Sequence, residues 1–292
     1  METTTDYSQI IINTLNTLLS NLFSSIDNEV YSSLDNIAFV NENNINNNSI
    51  IMALTPAFSN TIIIIANSLL LGFTLFYAVK YMMSLFSGSS VEKPIQFIFK
   101  IIIFAIFVNS SHFICNMFIE INYYLSGSIL EIGSSIISKP ISFSALVQNM
   151  NLAISSGNEV LNIFSLDGLI RSFLSFGFIT ILFSFALRFI MIKAFMLISP
   201  FAFCSLITNS SSWFFKTWIK AFASLLLLQS FVSIILFIVF SLDITSQNIY
   251  SKLMYIGAIY ALSKSFSYVR ELFGGISLEI SSQLSNLKTF IK

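Results

Sequence analysis

The sequence predicts an all-α fold: a polytopic membrane helical bundle with about five transmembrane helices and an N-terminal amphipathic helix outside the membrane. Hydrophobic residues make up 55% of the 292 residues and charged residues only 10%, whereas soluble domains carry about 25% charged residues. The mean hydropathy of the chain is +0.82. The apolar residues also gather into stretches of about twenty, the length that an α-helix needs to cross a bilayer core.

Residues 1–49 are predicted to form an external amphipathic helical segment that ends in a linker. The apolar residues recur at steps of three or four, which is typical of one stripe on a helix. They are Ile11, Leu15, Leu18, Leu22, Ile26, Val30, Leu34 and Ile37. The segment carries six acidic residues and no lysine or arginine. Interfacial helices are usually basic, so this one is expected to pack against protein. The asparagine-rich residues 41–48 are predicted to be a flexible linker.

The transmembrane domain, residues 50–292, holds the five predicted spans. They lie at about 57–79, 97–118, 169–190, 220–241 and 253–270. An outer loop, 119–168, joins the second span to the third, and a cytoplasmic tail, 271–292, follows the fifth. Long connections at a membrane face are usually functional or cap the packing. The loop is therefore a candidate for contact with a substrate or a partner.

The positions of the cationic residues predict the orientation, because cytoplasmic loops carry an excess of lysine and arginine. With the N-terminus outside, nine of the 14 cationic residues lie on the inner side, two lie outside and three lie within spans or at their edges. The inner nine are Lys80, Lys93, Arg188, Lys193, Lys216, Lys220, Arg270, Lys288 and Lys292. A sixth span at 194–208 would give five inside and six outside. Five spans, N-out and C-in, are preferred.

The stretch RFIMIKAFMLISPFAFCSL, Arg188 to Leu206, combines lipid-like hydrophobicity with two cations and a proline. Arg188 and Lys193 are predicted to mark the cytoplasmic end of the third span, and Pro200 to break or bend the helix that continues from it. The aromatic and cationic residues that follow are predicted anchors at the inner interface. They are Trp213, Lys216, Trp218 and Lys220. The two cations either extend to lipid headgroups or line a cytoplasmic vestibule.

The polar residues of the last two spans are further candidates for function. Tyr260, Lys264, Ser267 and Glu271 fall on one face of the fifth span. A central lysine costs about 3 kcal/mol against lipid, so Lys264 should face protein or water. This face either lines a path for a substrate, or Lys264 extends to the interface or pairs with Glu271. Gln229 lies in the middle of the fourth span and is predicted to bridge helices.

Catalytic and metal-binding patterns are missing from the sequence. The single histidine, His112 in NSSHFIC, has no partner at H-E-x-x-H spacing, and neither a G-x-S-x-G elbow nor a Walker loop occurs. Cys115 and Cys204 lie in apolar surroundings and are expected to be small buried hydrophobes. The sequence therefore predicts no enzyme, no cofactor and no metal site, and any energy source would be another protein.

Several stretches together form a pattern that covers most of residues 57–275. SLLLGFTLFYAVKYMMSLFSG and VEKPIQFIFKIIIFAIFVNSS form the first hairpin, and FSLDGLIRSFLSFGF begins the third span. ALRFIMIKAFMLISPFAFCSL, followed by WFFKTWIKAFASLLLLQ, forms the core, and YVRELFGG closes the fifth span. This pattern resembles the TrbL-like family, the polytopic inner-membrane subunits of conjugative type IV secretion systems.

The resemblance implies an outer N-terminus, five core spans, a large outer loop after the second span and a cytoplasmic tail. It also implies assembly into rings at the base of a channel that passes DNA or protein. Residues 119–168 would face substrate or partners, and residues 1–49 would serve assembly. The family offers no strict catalytic motif.

The preferred function is an integral membrane channel or scaffold subunit of a type IV secretion machine in the cytoplasmic membrane. Its expected partners are other copies of itself, other secretion subunits including ATPases, a DNA or protein substrate in transit, and the lipid bilayer. A stand-alone small-solute permease is an alternative, although such folds often contain internal repeats and none is found here. A purely structural scaffold is the third possibility, and it would leave Lys264 dispensable.

Overall fold

The computed structural model describes residues 7–24, 34–46, 49–88, 90–146, 148–149, 166–242 and 249–272. Regular structure in these residues is helical throughout, which confirms the all-α class. The helices are α1 (Tyr7–Ser24), α2 (Glu42–Asn46), α3 (Ser49–Ser87), α4 (Pro94–Asn109), α5 (Ser111–Ile137), α6 (Leu166–Cys204), a 3₁₀ turn (Ser205–Ile207), α7 (Ser212–Ser241) and α8 (Ile249–Leu272). The predicted tail beyond Leu272 and the later part of the predicted loop, residues 150–165, lie outside the described residues.

Three segments are long and apolar enough to cross a membrane. They are Ser59–Ser87, Phe176–Ile207 and Ser212–Ser241. Helices α4 and α5 together are also long and apolar enough to cross a membrane, as a single span with a bend of 58° between them. The chain is therefore a membrane protein with three or four candidate spans in its described part, where the sequence predicted five. The fifth predicted span is the helix α8, but its serines, Lys264 and Arg270 make it too polar to be counted among the candidate spans.

The bend between α4 and α5 lies at Ser110, inside the predicted second span. Beyond it α5 continues to Ile137, so residues 119–137, which the sequence placed in the outer loop, are helical. The buried face of α5 explains the difference. It includes Ser111, Asn122, Ser126 and Gly133, and such small or polar residues lower the hydropathy of the segment without interrupting the helix.

Pro200 lies within α6 and does not end it, because the helix continues to Cys204. A proline lacks the N–H that would bond to the carbonyl four residues earlier. Here that acceptor is Met196 O, and the hydroxyl of Ser199 donates to it instead at 2.6 Å. Residues 194–204 thus continue the helix of the third predicted span without a break.

Two groups of buried apolar side chains form the core. The first apolar cluster contains Leu34, Ala38, Ile141, Phe143, Leu146, Phe178, Ile181, Phe185, Leu228, Val232, Ile235, Leu236, Val239, Ile259, Leu262 and Val269. The second apolar cluster contains Val40, Ile45, Ala66, Leu70, Phe97, Val108, Cys115, Ile119, Phe189, Ile192, Met196, Ala202, Phe203, Cys204, Ile207, Trp218, Phe222, Leu225 and Leu226. Helices α5, α6 and α7 pass through both clusters or along them.

The N-terminal segment contributes to both clusters. Ala38 belongs to the first cluster, and Val40 and Ile45 belong to the second. Residues 34–46 therefore enter the helical body, and residues 42–46 of the predicted flexible linker form the helix α2. The position of residues 1–49 on the outer side of the membrane stays a prediction. Only α1 matches an external amphipathic helix in the described part, since its Tyr7, Ile11 and Leu18 side chains are exposed.

Candidate functional site

The boundary between the two apolar clusters holds a set of buried polar groups that we call the polar layer. It consists of the Arg188, Gln229 and Ser126 side chains together with main-chain groups of Ala38, Val40 and Leu225. On α6, Phe185 of the first cluster lies one turn before Arg188, and Phe189 of the second cluster follows it directly. The layer is therefore a polar cross-section between two apolar regions of the bundle.

Arg188 is the largest fully buried side chain in the described residues, with 0% exposure. Its guanidinium donates three hydrogen bonds to three different parts of the chain. Nε donates to Leu225 O at 2.7 Å, Nη1 to Ala38 O at 2.8 Å and Nη2 to Gln229 Oε1 at 2.9 Å. A planar guanidinium can serve such separate acceptors at once, whereas a lysine ammonium is a single point charge.

Gln229 joins the remaining members of the polar layer. Its Oε1 also accepts the main-chain N–H of Val40 at 3.0 Å, and its Nε2 donates to Ser126 Oγ at 2.8 Å. Ser126 Oγ in turn donates to Tyr123 O at 2.8 Å. The prediction that Gln229 bridges helices is confirmed, because its side chain links α5, α6, α7 and the N-terminal segment.

The acceptors around Arg188 are all neutral. Among the described residues the single ion pair within 4.0 Å joins Lys100 and Glu92, at 3.7 Å, and it lies on α4 and its entry. A cation at the middle of a membrane span costs about 2.5–3.5 kcal/mol on insertion scales. Two carbonyls and one amide oxygen offset part of that cost. An intramembrane cation of this kind is by default a candidate functional group.

Lys193 follows Arg188 on α6 and is also turned into the bundle, with 7% exposure. Its Nζ lies 3.5 Å from Ile45 O. The sequence predicted that Arg188 and Lys193 mark the cytoplasmic end of a span, as headgroup anchors or as the lining of a vestibule. The structure differs from the anchor interpretation, because residues 34–46 bring main-chain oxygens to both cations inside the bundle.

The other predicted inner-face residues divide into two groups. Trp218 is 4% exposed, donates from Nε1 to Phe195 O at 3.0 Å and stacks on Phe222. It is a core residue, contrary to its predicted anchoring role. Trp213 is 64% exposed, and Lys216 and Lys220 are exposed as well. Their anchoring at an interface stays a prediction.

The carboxylates of Asp35, Glu42 and Glu120 make a second set of contacts between residues 34–46 and the rest of the bundle. Asp35 Oδ1 accepts the N–H groups of Phe143 and Ser144 at 2.7 and 3.1 Å, and its Oδ2 accepts the Ser144 hydroxyl. Glu42 accepts from Asn116 Nδ2 at 2.9 Å, and the Glu42 N–H donates to Glu120 Oε1 at 2.9 Å. The segment is therefore fastened to α5 and to residues 143–144 as well as to α6 and α7.

Helix α5 keeps unused hydrogen-bonding capacity at these contacts. Four of its buried side-chain atoms have no hydrogen-bond partner among the described residues: Ser111 Oγ, His112 Nε2, Asn116 Oδ1 and Asn122 Nδ2. Asn116 and Asn122 are nevertheless bonded through their other amide atoms, to Glu42 and Ser230 respectively. Helix α5 thus carries four buried polar atoms to which the described residues offer no hydrogen bond.

An open cavity of about 390 Å³ borders the polar layer. Asp35, Asn36 and Phe39 lie on one wall and α5 forms the other, where Tyr123 and Glu131 are among the lining side chains. Ser126 also lines it and bonds to Gln229. The cavity therefore reaches the edge of the polar layer at the place where the N-terminal segment meets α5.

The predicted path residues of the fifth span lie on the outer surface of the bundle. Lys264 and Glu271 are exposed, Tyr260 is 49% exposed and Ser267 is half-buried. Lys264 Nζ lies 6.0 Å from the Tyr260 ring centroid. The opposite face of α8 packs into the first apolar cluster. The structure brings the four residues onto one side of α8, away from the core.

No three His, Cys, Asp or Glu side chains in the part of the chain that the structure describes lie close enough to hold a metal ion. Cys115 and Cys204 are each buried in the second apolar cluster. Comparisons of the chain with protein-family models, with curated proteins and with solved structures found no match.

Proposed function

We propose that this chain is an integral membrane channel or scaffold subunit of a conjugation-type (type IV) secretion machine, which helps to pass DNA or protein across the cytoplasmic membrane. The observation that carries the proposal is the outward position of the Lys264 face of α8 in a bundle whose interior is filled. The resemblance of residues 57–275 to TrbL-like subunits adds support of a different kind, from the sequence pattern.

The outer face of α8 is poorly suited to lipid. Helix α8 is too polar to be a candidate span by itself, but in the proposed subunit it would cross the membrane, where a lysine that faces hydrocarbon costs about 3 kcal/mol. Lys264 has an aromatic ring within reach but no carboxylate within 4.0 Å among the described residues. Glu271 lies on the same face. Such a face is stabilised when it meets water or a neighbouring protein.

The interior of the described bundle is filled, so a large substrate would pass along its outer surface. The two apolar clusters and the polar layer occupy the space between α5, α6, α7 and α8. A conduit would therefore run between copies of the chain. Closed symmetry repeats the same residue around a ring, so each copy would contribute one Lys264, and a ring of cations suits passage of nucleic acid.

The long helix α3 is consistent with a subunit that has neighbours. Within its apolar part, Ser59–Ser87, only Ser59, Ala66, Leu70 and Ser84 are buried by the rest of the chain. Most of the exposed side chains are apolar, as with Leu71, Phe76 and Val79. This helix is free to contact lipid or an adjacent subunit along most of its length.

A stand-alone permease is the second candidate, and the broken helix pair favours it. Transporters commonly form substrate sites where a membrane helix is interrupted, and α4 and α5 are interrupted at Ser110 with a 58° bend. The unpartnered Ser111 and His112 atoms lie directly after that bend. This function would require neither a ring nor Lys264.

The experiment that distinguishes these functions combines a measurement of the mass of the assembly with an assay of substrate transfer. The chain is purified in nanodiscs for mass measurement, and Lys264→Ala, Lys264→Arg and the control Lys216→Ala are assayed for substrate transfer in cells that depend on this subunit. A ring, a loss of transfer of about tenfold or more in Lys264→Ala, and near wild-type transfer in the other two support the proposal. A monomer that takes up solute supports the permease, and a ring with full transfer in Lys264→Ala indicates a scaffold.

A further inference from the structure

Residues 34–46 form a segment with its own local structure inside the bundle. Residues 34–38 are one helical turn, residues 39–41 are not helical, and α2 (Glu42–Asn46) is a second short helix. Ala38, Val40 and Ile45 are 0–1% exposed. Buried main-chain groups at such breaks need partners, because neither turn is long enough to satisfy its own ends.

Side chains of the bundle satisfy those ends, and their charges match the helix dipoles. Ala38 O, at the C-terminal end of the first turn, accepts from Arg188, and Ile45 O, in the last turn of α2, lies against Lys193. The N–H of Glu42, at the N-terminal end of α2, donates to the Glu120 carboxylate. Cations at C-terminal ends and an anion at an N-terminal end are the favourable arrangement.

Four of the polar contacts between the bundle and this segment are to its main chain. Arg188, Lys193, Glu120 and Gln229 all bond to backbone groups, with Gln229 receiving the N–H of Val40. These four bonds do not depend on side-chain identity, whereas the Ala38, Val40 and Ile45 side chains also pack into the two apolar clusters. The segment adds two side-chain fastenings of its own, which are the Asp35 and Glu42 carboxylates.

We propose that residues 34–46 are a separable strap, seated in a binding site for polypeptide main chain that Arg188, Lys193, Gln229 and Glu120 form. The ligand class is a short polypeptide of two helical turns, and in this structure the chain supplies it in cis. When the strap leaves, Arg188, Lys193 and the Asn116 amide lose their contacts with it, face the emptied groove and become accessible to water. This proposal does not depend on the secretion function.

Hydrogen exchange on the full chain in nanodiscs tests whether the strap is separable. The double variant Asp35→Ala/Glu42→Ala removes the fastenings of the strap and leaves its binding site intact. Amides of residues 38–46 should exchange about tenfold faster or more, while those of α7 keep their protection. The matched control is Glu131→Ala, which removes an exposed carboxylate from the neighbouring cavity and should leave strap exchange unchanged.

Binding in trans tests the main-chain site itself. A synthetic peptide of residues 34–46 should bind the full-length Asp35→Ala/Glu42→Ala chain. The same peptide with an N-methyl group at Val40 cannot donate to Gln229, so it should bind about fivefold more weakly or worse. A peptide that does not bind, or an N-methyl peptide that binds equally well, overturns the proposal.

The unsubstituted chain provides a test that does not depend on how well the variants fold. Its strap amides should exchange through a local opening that requires less free energy than the opening that exposes α7. Exchange of the strap and of α7 through one common opening overturns the proposal. So does unchanged protection of the strap in a folded Asp35→Ala/Glu42→Ala chain.

Discussion

Arg188 and Val40 donate to the same atom. Arg188 Nη2 lies 2.9 Å from Gln229 Oε1, and the N–H of Val40 lies 3.0 Å from it. One amide oxygen therefore receives a buried cation of α6 and a main-chain group of the N-terminal segment. Loss of that oxygen would leave both donors without a partner in an apolar surrounding, where an unsatisfied donor is costly.

The chemistry of this acceptor can be separated from its shape. Gln229→Leu keeps a similar volume and removes both bonding atoms, so the free energy of unfolding should fall by about 2–4 kcal/mol. Gln229→Glu keeps the acceptor and adds a charge opposite to that of Arg188, so its stability should stay within about 1 kcal/mol of wild type. Thermal unfolding in detergent measures both. Equal losses in Gln229→Leu and in the exposed control Gln96→Leu would contradict the role of Gln229.

Close approach of α5 and α7 predicts a contrast between two glycines of one helix. A Cβ atom at Gly133 would lie 2.7 Å from the Phe237 ring and 2.9 Å from Ile141 Cδ1, whereas a Cβ at Gly127 meets nothing within 4 Å. Gly133→Ala should lower the free energy of unfolding by about 1–3 kcal/mol. Gly127→Ala should be neutral or stabilise by up to about 1 kcal/mol. Indistinguishable unfolding curves for the two variants would show that the helices can separate freely there.

The hydroxyl of Ser199 should become dispensable when Pro200 is replaced. Ser199→Ala removes the donor to Met196 O and should cost about 1 kcal/mol. Pro200→Ala restores the helical N–H that reaches the same carbonyl. In a double-mutant cycle, the second substitution should therefore recover at least half of the loss caused by the first. Simple additivity of the two effects would mean that the hydroxyl does not replace the missing donor.

The two tryptophans should differ in fluorescence. Trp218, left alone in Trp213→Phe, should emit at short wavelength and resist acrylamide, because it is buried and bonded to Phe195 O. Trp213, left alone in Trp218→Phe, should be quenched by acrylamide or by nitroxide-labelled lipid headgroups, because it is exposed. Similar quenching of both residues would contradict the burial of Trp218. Protection of Trp213 from both quenchers would contradict its interfacial position.

Local composition was enough for the class of the protein and for part of its site. The long apolar runs predicted helices at α3, α6 and α7, and a glutamine in the middle of an apolar helix predicted the bridge that Gln229 forms. The same reasoning failed for α5, because serine, asparagine and glycine residues on its buried face interrupt the continuous apolar run by which the other helices were predicted. It also failed for Trp218, since aromatic residues near lysines are common both at interfaces and in cores.

By itself, the sequence determined an all-helical membrane protein, because hydropathy and helical period depend on neighbours along the chain. Only the tertiary structure decided the environment of Arg188 and Lys193. Their acceptors include Ala38 O and Ile45 O, which lie 150 and 148 residues away in the chain. Whether a cation in an apolar stretch reaches outward to headgroups or inward to carbonyls depends on which backbone is brought beside it, and no local pattern carries that information.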